Sequence, residues 1–519
     1  MTKPAEGQNA EGQNPVTAAR ADIGLPQPPT ETLRRHNARV LDPASALTLP
    51  GQDVRSTVYV GDRCLVSAAG WFGESGAVLK EAAAKLDLQI EADRGSVALA
   101  ERVNGSGLEG LGTVVCMLSR TSANPSLPPD AWELLQTARA IAPEAVAEVA
   151  LVHLLTAGPY WSPNPYWSPN PYWSPNPYWS PNPGAAPGGA SGRFPVSVVL
   201  PPLPHPAPAT GRAPVVAVLD SGCGQHPWLD GVVREDVALD GKRLGVTDPA
   251  LDPEVTGDLV GPLDGQLDLV SGHGTFIAGI IRQACPEAEL LSIQVTYSDG
   301  TVLEDELLLA LQQLAVLAAD ARAGKGGQVL DVVSLSLGYY HETAADALTD
   351  GVLATTFAAL GDLGVAVVAS AGNDATTRAC YPAALAVSGA TGALAVTSVG
   401  ALNPAHSVAA YSNSGDWVRT WGLGTNVVST LPVTFRGAEQ PDIRLRDPSG
   451  RVRESVDPDN FGGGFGIWSG TSFAAPAVAG AIAAALVRAS ESGSFPLDDP
   501  ASSVERAVAA VQSVLSSAG

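Results

Sequence analysis

The sequence predicts an α/β protein, a doubly wound and mostly parallel sheet flanked by helices, preceded by a smaller N-terminal α+β domain. Three observations carry that expectation. From residue 193 onward, short apolar runs of strand type alternate with longer helical patterns, as a parallel sheet with crossover helices requires. Between residues 55 and 157, strand-like and helical runs interleave on a smaller scale. A proline-rich repeat separates the two regions.

Taken in order, a chain of 519 residues exceeds the size at which one core stops growing, so more than one folding unit is expected. Residues 1–54 are rich in Pro, Gly, Gln and Asn, duplicate the pentapeptide AEGQN at 5–14, and read as a disordered tail. In the 55–157 domain, Thr57–Val60, Leu86–Ile90, Val97–Ala100 and Thr113–Leu118 read as strands, with helices near Gly76–Lys85 and Asp130–Ile141. Residues 158–192 form a linker. Its core is PYWSPN, in four consecutive copies from Pro159 to Asn182, whose recurrent prolines deny it helix and ladder hydrogen bonds. Such a segment is a spacer, or its Tyr–Trp pairs stack on carbohydrate, a partner or an extended substrate. In the 193–490 domain, Val215–Leu219, Leu290–Val295, Val329–Leu337, Val365–Ala369 and Leu394–Val399 read as strands, and 491–519 as a helical segment.

Bulk properties narrow the function. The formal charge of −23 argues against nucleic acid as a partner. Five scattered cysteines, without C-x-x-C spacing, indicate neither a zinc site nor a disulfide framework. The N-terminus lacks the apolar core of a secretory signal, and no later stretch reads as long and apolar enough to span a bilayer, so cytoplasmic residence is expected, with leaderless export as the alternative.

The chemistry sits in four motifs. VVAVLDSG (215–222) is a buried strand running into the carboxylate of Asp220 and a turn glycine. SGHGTFIAGII (271–281) places His273 at the mouth of an amphipathic helix. GTSFAAPAVAG (470–480) is a glycine turn into a small-residue helix with Ser472 in its first turn, where backbone N–H groups can bind an oxyanion. VAVVASAGN (365–373) is an apolar strand that ends at Asn373. Each alone has a plain structural reading: a cap, a helix-start histidine, an N-cap serine, a turn asparagine.

Together, in the order Asp, His, Ser, these motifs resemble those of the subtilisin-like serine peptidases, over about residues 212–485. The resemblance implies a subtilisin-like fold, with Ser472 as nucleophile, His273 as general base and then acid, Asp220 as the group that orients the imidazole, and Asn373 as oxyanion donor. It also implies that VVSLSLG (332–338) binds an extended polypeptide through Ser336, Leu337 and Gly338. Many such enzymes carry an N-terminal domain that assists folding and blocks the site until cut away, and position alone suggests that role for 55–157. No metal site is indicated; calcium enters only as a habit of the family, because Asp248–Asp268 lacks a regular ligand spacing. Cys223 reads as a packed thiol near the site, and residues 431–467 as an insertion. The competing class is an interaction protein, in which the repeat binds a partner and the peptidase fold is a scaffold. A complete triad argues against it.

Overall fold

The computed structural model describes residues 27–121, 128–157, 193–196, 201, 203–261, 267–349, 351–387, 394–435, 444–454 and 463–517. The PYWSPN repeat lies outside the described residues. Seven parallel strands form the central sheet, in the spatial order Thr420–Leu423, Thr397–Leu402, Ala366–Ser370, Val332–Leu335, Val215–Asp220, Glu289–Gln294 and Val233–Arg234. Their side chains are apolar on both faces because both faces are covered. The helices His273–Ala284, Thr471–Glu491 and Ser503–Ser517 pack on one face around Phe276, Ile281, Ile482 and Leu486. Glu304–Arg322 and Gly351–Asp362 cover the other through Leu307, Leu311 and Phe357.

This is the doubly wound α/β fold expected from the sequence. Val215–Asp220 lies inside the sheet, with later strands added on either side of it. A crevice therefore opens at its carboxyl end, where ligands bind in such folds.

In the N-terminal domain, Thr57–Ser67 is flanked by Ala150–Thr156 and Thr113–Arg120, with Leu88–Ala92 beyond the latter and Ala38–Leu41 also pairing with Thr57–Val60. Two expectations fail here. Val97–Ala100 is helical, within Arg94–Gly105. The Asp93 carboxylate caps that helix by accepting from Ser96 N–H at 2.7 Å, and Ser96, Leu99, Ala100 and Val103 bury one face at helical spacing. Likewise, part of the presumed tail is structured, with a helix at Thr30–Arg35 and the edge strand Ala38–Leu41. Its polar composition hid a short segment whose backbone pairs with an existing strand.

The two domains share one sheet and one core. Thr301–Leu303 of the larger domain pairs antiparallel with Leu154–Thr156. Leu99, Val103, Val152 and Leu155 join the same cluster as Leu307, Leu311 and Leu314. Ion pairs rim this contact: Arg35 to Asp299 at 3.1 Å, Arg63 to Asp305 at 2.8 Å, Arg102 to Asp240 at 3.1 Å, and Arg139 to Asp346. In every one of these pairs the N-terminal domain supplies the cation.

Thr471–Glu491 is long and apolar enough to cross a membrane, contrary to the sequence expectation. Most of it is buried in the protein, since a helix covered by a sheet and two other helices is apolar nearly all round.

Candidate active site

Asp220 is the last residue of its strand and is buried. Its Oδ1 accepts the Ser221 backbone N–H at 2.8 Å and the His273 Nδ1–H at 2.6 Å. That bond fixes the imidazole tautomer and leaves Nε2 as the basic nitrogen. The helix carrying His273 starts from Gly272, whose φ of +84° suits glycine. At Gly274 a Cβ would stand 2.1 Å from the Gly222 carbonyl oxygen, so only glycine lets the aspartate turn and the histidine helix approach this closely. Trp468 and Phe473 hold the imidazole, with ring centroids 5.3 and 5.2 Å away.

Phe473 follows Ser472, so the same aromatic contact brings the serine helix to the histidine. Pro476 lies inside that helix and has no N–H to give the Ser472 carbonyl four residues earlier. The Ser336 hydroxyl fills the place, donating to the Ser472 carbonyl at 2.9 Å. A residue expected to contact substrate thus ties the substrate strand to the serine turn. Asn373 Oδ1 accepts the Thr471 N–H at 2.8 Å and the Thr471 hydroxyl at 2.9 Å. With its oxygen engaged, the amide has its NH₂ left to donate. Asn373 lines the same pocket as Ser472, Ser336, Leu337 and Gly338.

Ala157 also lines this pocket. Thr156 and Gly338 exchange N–H to O=C bonds, each at 3.0 Å, and the Ala157 N–H donates to the Gly300 carbonyl at 2.9 Å. Leu154–Ala157 is therefore an extended strand held on one side by Gly300–Leu303 and on the other by Gly338. The Ser472 hydroxyl donates to the Ala157 carbonyl oxygen at 3.2 Å. Nothing in the 55–157 composition marked Ala157; only the strand Ala150–Thr156 leads to it. The pocket has a volume of about 30 Å³, and Tyr340, Asp374 and Cys380 also line it.

Sequence reasoning also missed Glu254, which is fully buried behind the Asp220–His273 pair. It accepts from the Gly274 N–H at 3.1 Å and from the hydroxyls of Ser221 and Thr275. Burial pushes its carboxyl up to about 7. Its only signal was an acid in the loop before the histidine motif, lost within Asp248–Asp268. In that stretch Asp252 and Asp268 each accept backbone N–H groups of their own loop. Cys223 is half-buried, and burial beside Glu254 pushes its thiol well up. All five cysteines are free.

The model of the Subtilase family matches residues 211–499. The chain is 28% identical over 304 residues to an intracellular serine protease of Paenibacillus polymyxa, covering 56% of this chain and 70% of that protein. It is 27% identical to the major intracellular serine protease of Bacillus subtilis (strain 168), covering 55% and 71%, and 29% identical to Subtilisin BL of Lederbergia lenta, covering 46% and 73%. Among solved structures, it is similar to a cold adapted subtilisin-like serine proteinase, at 18% identity and a TM-score of 0.35, covering 57% of this chain and 82% of that one. Matched by the family model over more than half its length, the chain belongs to the subtilase family and is a subtilisin-like serine-type endopeptidase.

Proposed function

We propose that Asp220, His273 and Ser472 are the catalytic triad of this endopeptidase, that Asn373 is its oxyanion donor, and that its first substrate is its own Ala157–Gly158 bond. The observation that carries the reading is the Ala157 carbonyl, 3.2 Å from the Ser472 hydroxyl at the end of a strand paired on both sides. That hydrogen bond sets the Ser472 hydroxyl against the carbonyl group whose carbon it would attack.

Ser472 adds to the Ala157 carbonyl carbon while His273 Nε2 takes the hydroxyl proton. Asp220 holds the imidazole and stabilises its cation, and the developing oxyanion is met by the Asn373 NH₂ and the Ser472 N–H. Collapse breaks the C–N bond, His273 returns the proton to the Gly158 amine, and water releases the acyl-enzyme by the same steps. The N-terminal domain then stays docked through its shared core and ion pairs and blocks the site until it leaves. Later substrates enter as the same extended strand, so unfolded or looped polypeptide is the substrate class, with a small side chain before the cut. Two relatives named as intracellular proteases support residence in the cytoplasm. Binding of a partner by the PYWSPN repeat remains part of the proposal, motivated by its Tyr–Trp pairs.

The test is labelling by a fluorophosphonate, which reacts with activated serines. The chain freed of its N-terminal domain takes up one label and Ser472→Ala takes up none; labelling of Ser472→Ala, or none of the freed wild type, contradicts the assignment.

A further inference from the structure

Away from the triad, at the junction of the two domains, His153 lies fully buried between two carboxylates. It belongs to Ala150–Thr156, the strand that ends beside Ala157. One oxygen of Glu304 accepts both the His153 backbone N–H at 2.8 Å and the ring Nδ1–H at 2.7 Å. That oxygen only accepts, so Nδ1 carries a proton and Nε2 is the nitrogen that faces the rest of the cluster. Nε2 stands 2.9 Å from Glu342 Oε2, and His341 Nδ1 is 3.7 Å from that same oxygen. Donor atoms of His153, His341 and Glu342 all lie within 4.8 Å of one another, and all three residues are buried. Tyr339 stacks on the His153 ring at 4.5 Å and holds its orientation.

A divalent cation between His153 Nε2, His341 Nδ1 and Glu342 Oε2 would take the Nε2 lone pair that otherwise faces a carboxylate and draw three buried donors onto one centre. We propose that His153, His341 and Glu342 form a binding site for Zn²⁺ or a similar borderline divalent ion, spanning the two domains. Two nitrogens and one carboxylate oxygen are the donor set of that class rather than of calcium. The Glu304–His153 contact is the outer carboxylate that metal-bound histidines use to fix their tautomer. Metal–ligand bonds of about 2.0–2.2 Å require the Nε2–Oε2 separation to open by a few tenths of an ångström.

The site is distinct from the serine chemistry. An ion there ties the strand leading to Ala157 to the segment Tyr339–Glu342, so it clamps the N-terminal domain in place. No spacing in the sequence announced it, because His153 and Glu342 are 189 residues apart.

The test uses the untagged full-length Ser472→Ala chain, titrated with Zn²⁺ alone by calorimetry and with Co²⁺ by visible absorption. The expected result is saturable uptake of one Zn²⁺ per chain and the intense Co²⁺ bands of a low-coordinate site. Affinity should fall by at least about tenfold in His341→Ala and by about 10–100-fold in Glu304→Gln. No uptake by the folded chain overturns the proposal, as does equal uptake by His341→Ala and Glu342→Gln. If a variant does not fold, the Co²⁺ spectrum of the unsubstituted site decides, and the weak spectrum of a six-coordinate aquo ion overturns it.

Discussion

Glu254 shows how a side chain with no catalytic contact supports the site. Three donors converge on it, and two of them, the Gly274 N–H and the Thr275 hydroxyl, belong to the first turn of the histidine helix. Burial raises its folded pKa to about 7 from the ordinary 4.5. Between those values the unfolded chain has lost a proton that the folded chain keeps. The stability this gives is therefore full at and below about pH 4.5 and falls as pH rises through 7, by on the order of 3 kcal/mol for a group buried this deeply. Urea unfolding of Ser472→Ala at pH 5 and pH 8 should show that loss. In Ser472→Ala/Glu254→Gln the pH dependence should be flatter, because an amide does not titrate over this range. Parallel pH profiles for the two chains would contradict the assignment. Legibility differed sharply at this scale. Asp220, His273, Ser472 and Asn373 could be singled out in the sequence because each stands in a motif tied to a strand end or helix start. Glu254 and Ala157 were not, because an acid in a loop and an alanine after a strand carry no local signal.

Among the elements, the strand Leu154–Ala157 carries most of the account. It completes a three-stranded antiparallel patch with Thr301–Leu303 and Gly338, and each backbone bond in it is available to a substrate of any sequence. Thr156→Pro removes the N–H that donates to the Gly338 carbonyl. The substitution should slow the cut after Ala157 while leaving turnover of an added peptide by the freed enzyme unchanged, measured as processing half-time against peptide kcat. Processing at the wild-type rate would contradict the pairing. The central strands were legible in the sequence because a doubly covered sheet imposes near-continuous apolar runs. Val97–Ala100 was misread because four apolar or small residues fit a strand as well as one helix face, and the arbiter was the Asp93 cap. Ala38–Leu41 and Thr301–Leu303 were missed because short edge strands are specified by the backbone they pair with rather than by their side chains.

On the scale of the whole molecule, the N-terminal domain is held by an apolar core and by a set of Arg–Asp pairs of one polarity. The core, with Leu99, Val103 and Val152 against Leu307 and Leu311, gives attachment that salt leaves intact. Arg35, Arg63, Arg102 and Arg139 pair with acids of the larger domain; Arg102–Asp240 lies open to solvent, where salt screens it, and the partly buried others are screened less. After the cut, release of the N-terminal domain should accelerate as NaCl rises from 50 to 500 mM (on the order of a tenfold change in ionic strength), followed as the lag before peptide hydrolysis. A lag independent of salt would show that the ion pairs contribute nothing to retention. None of these pairs was legible in the sequence, since partners hundreds of residues apart meet only once both domains have folded.

The central claim is that the chain presents its own Ala157 carbonyl to Ser472. The most direct measurement is the intact mass of wild type and Ser472→Ala, each purified under the same conditions. Wild type should yield two fragments, the first ending at Ala157 and the second beginning at Gly158, while Ser472→Ala remains whole. An uncut wild type, a cut at another bond, or the same cut in Ser472→Ala would contradict it.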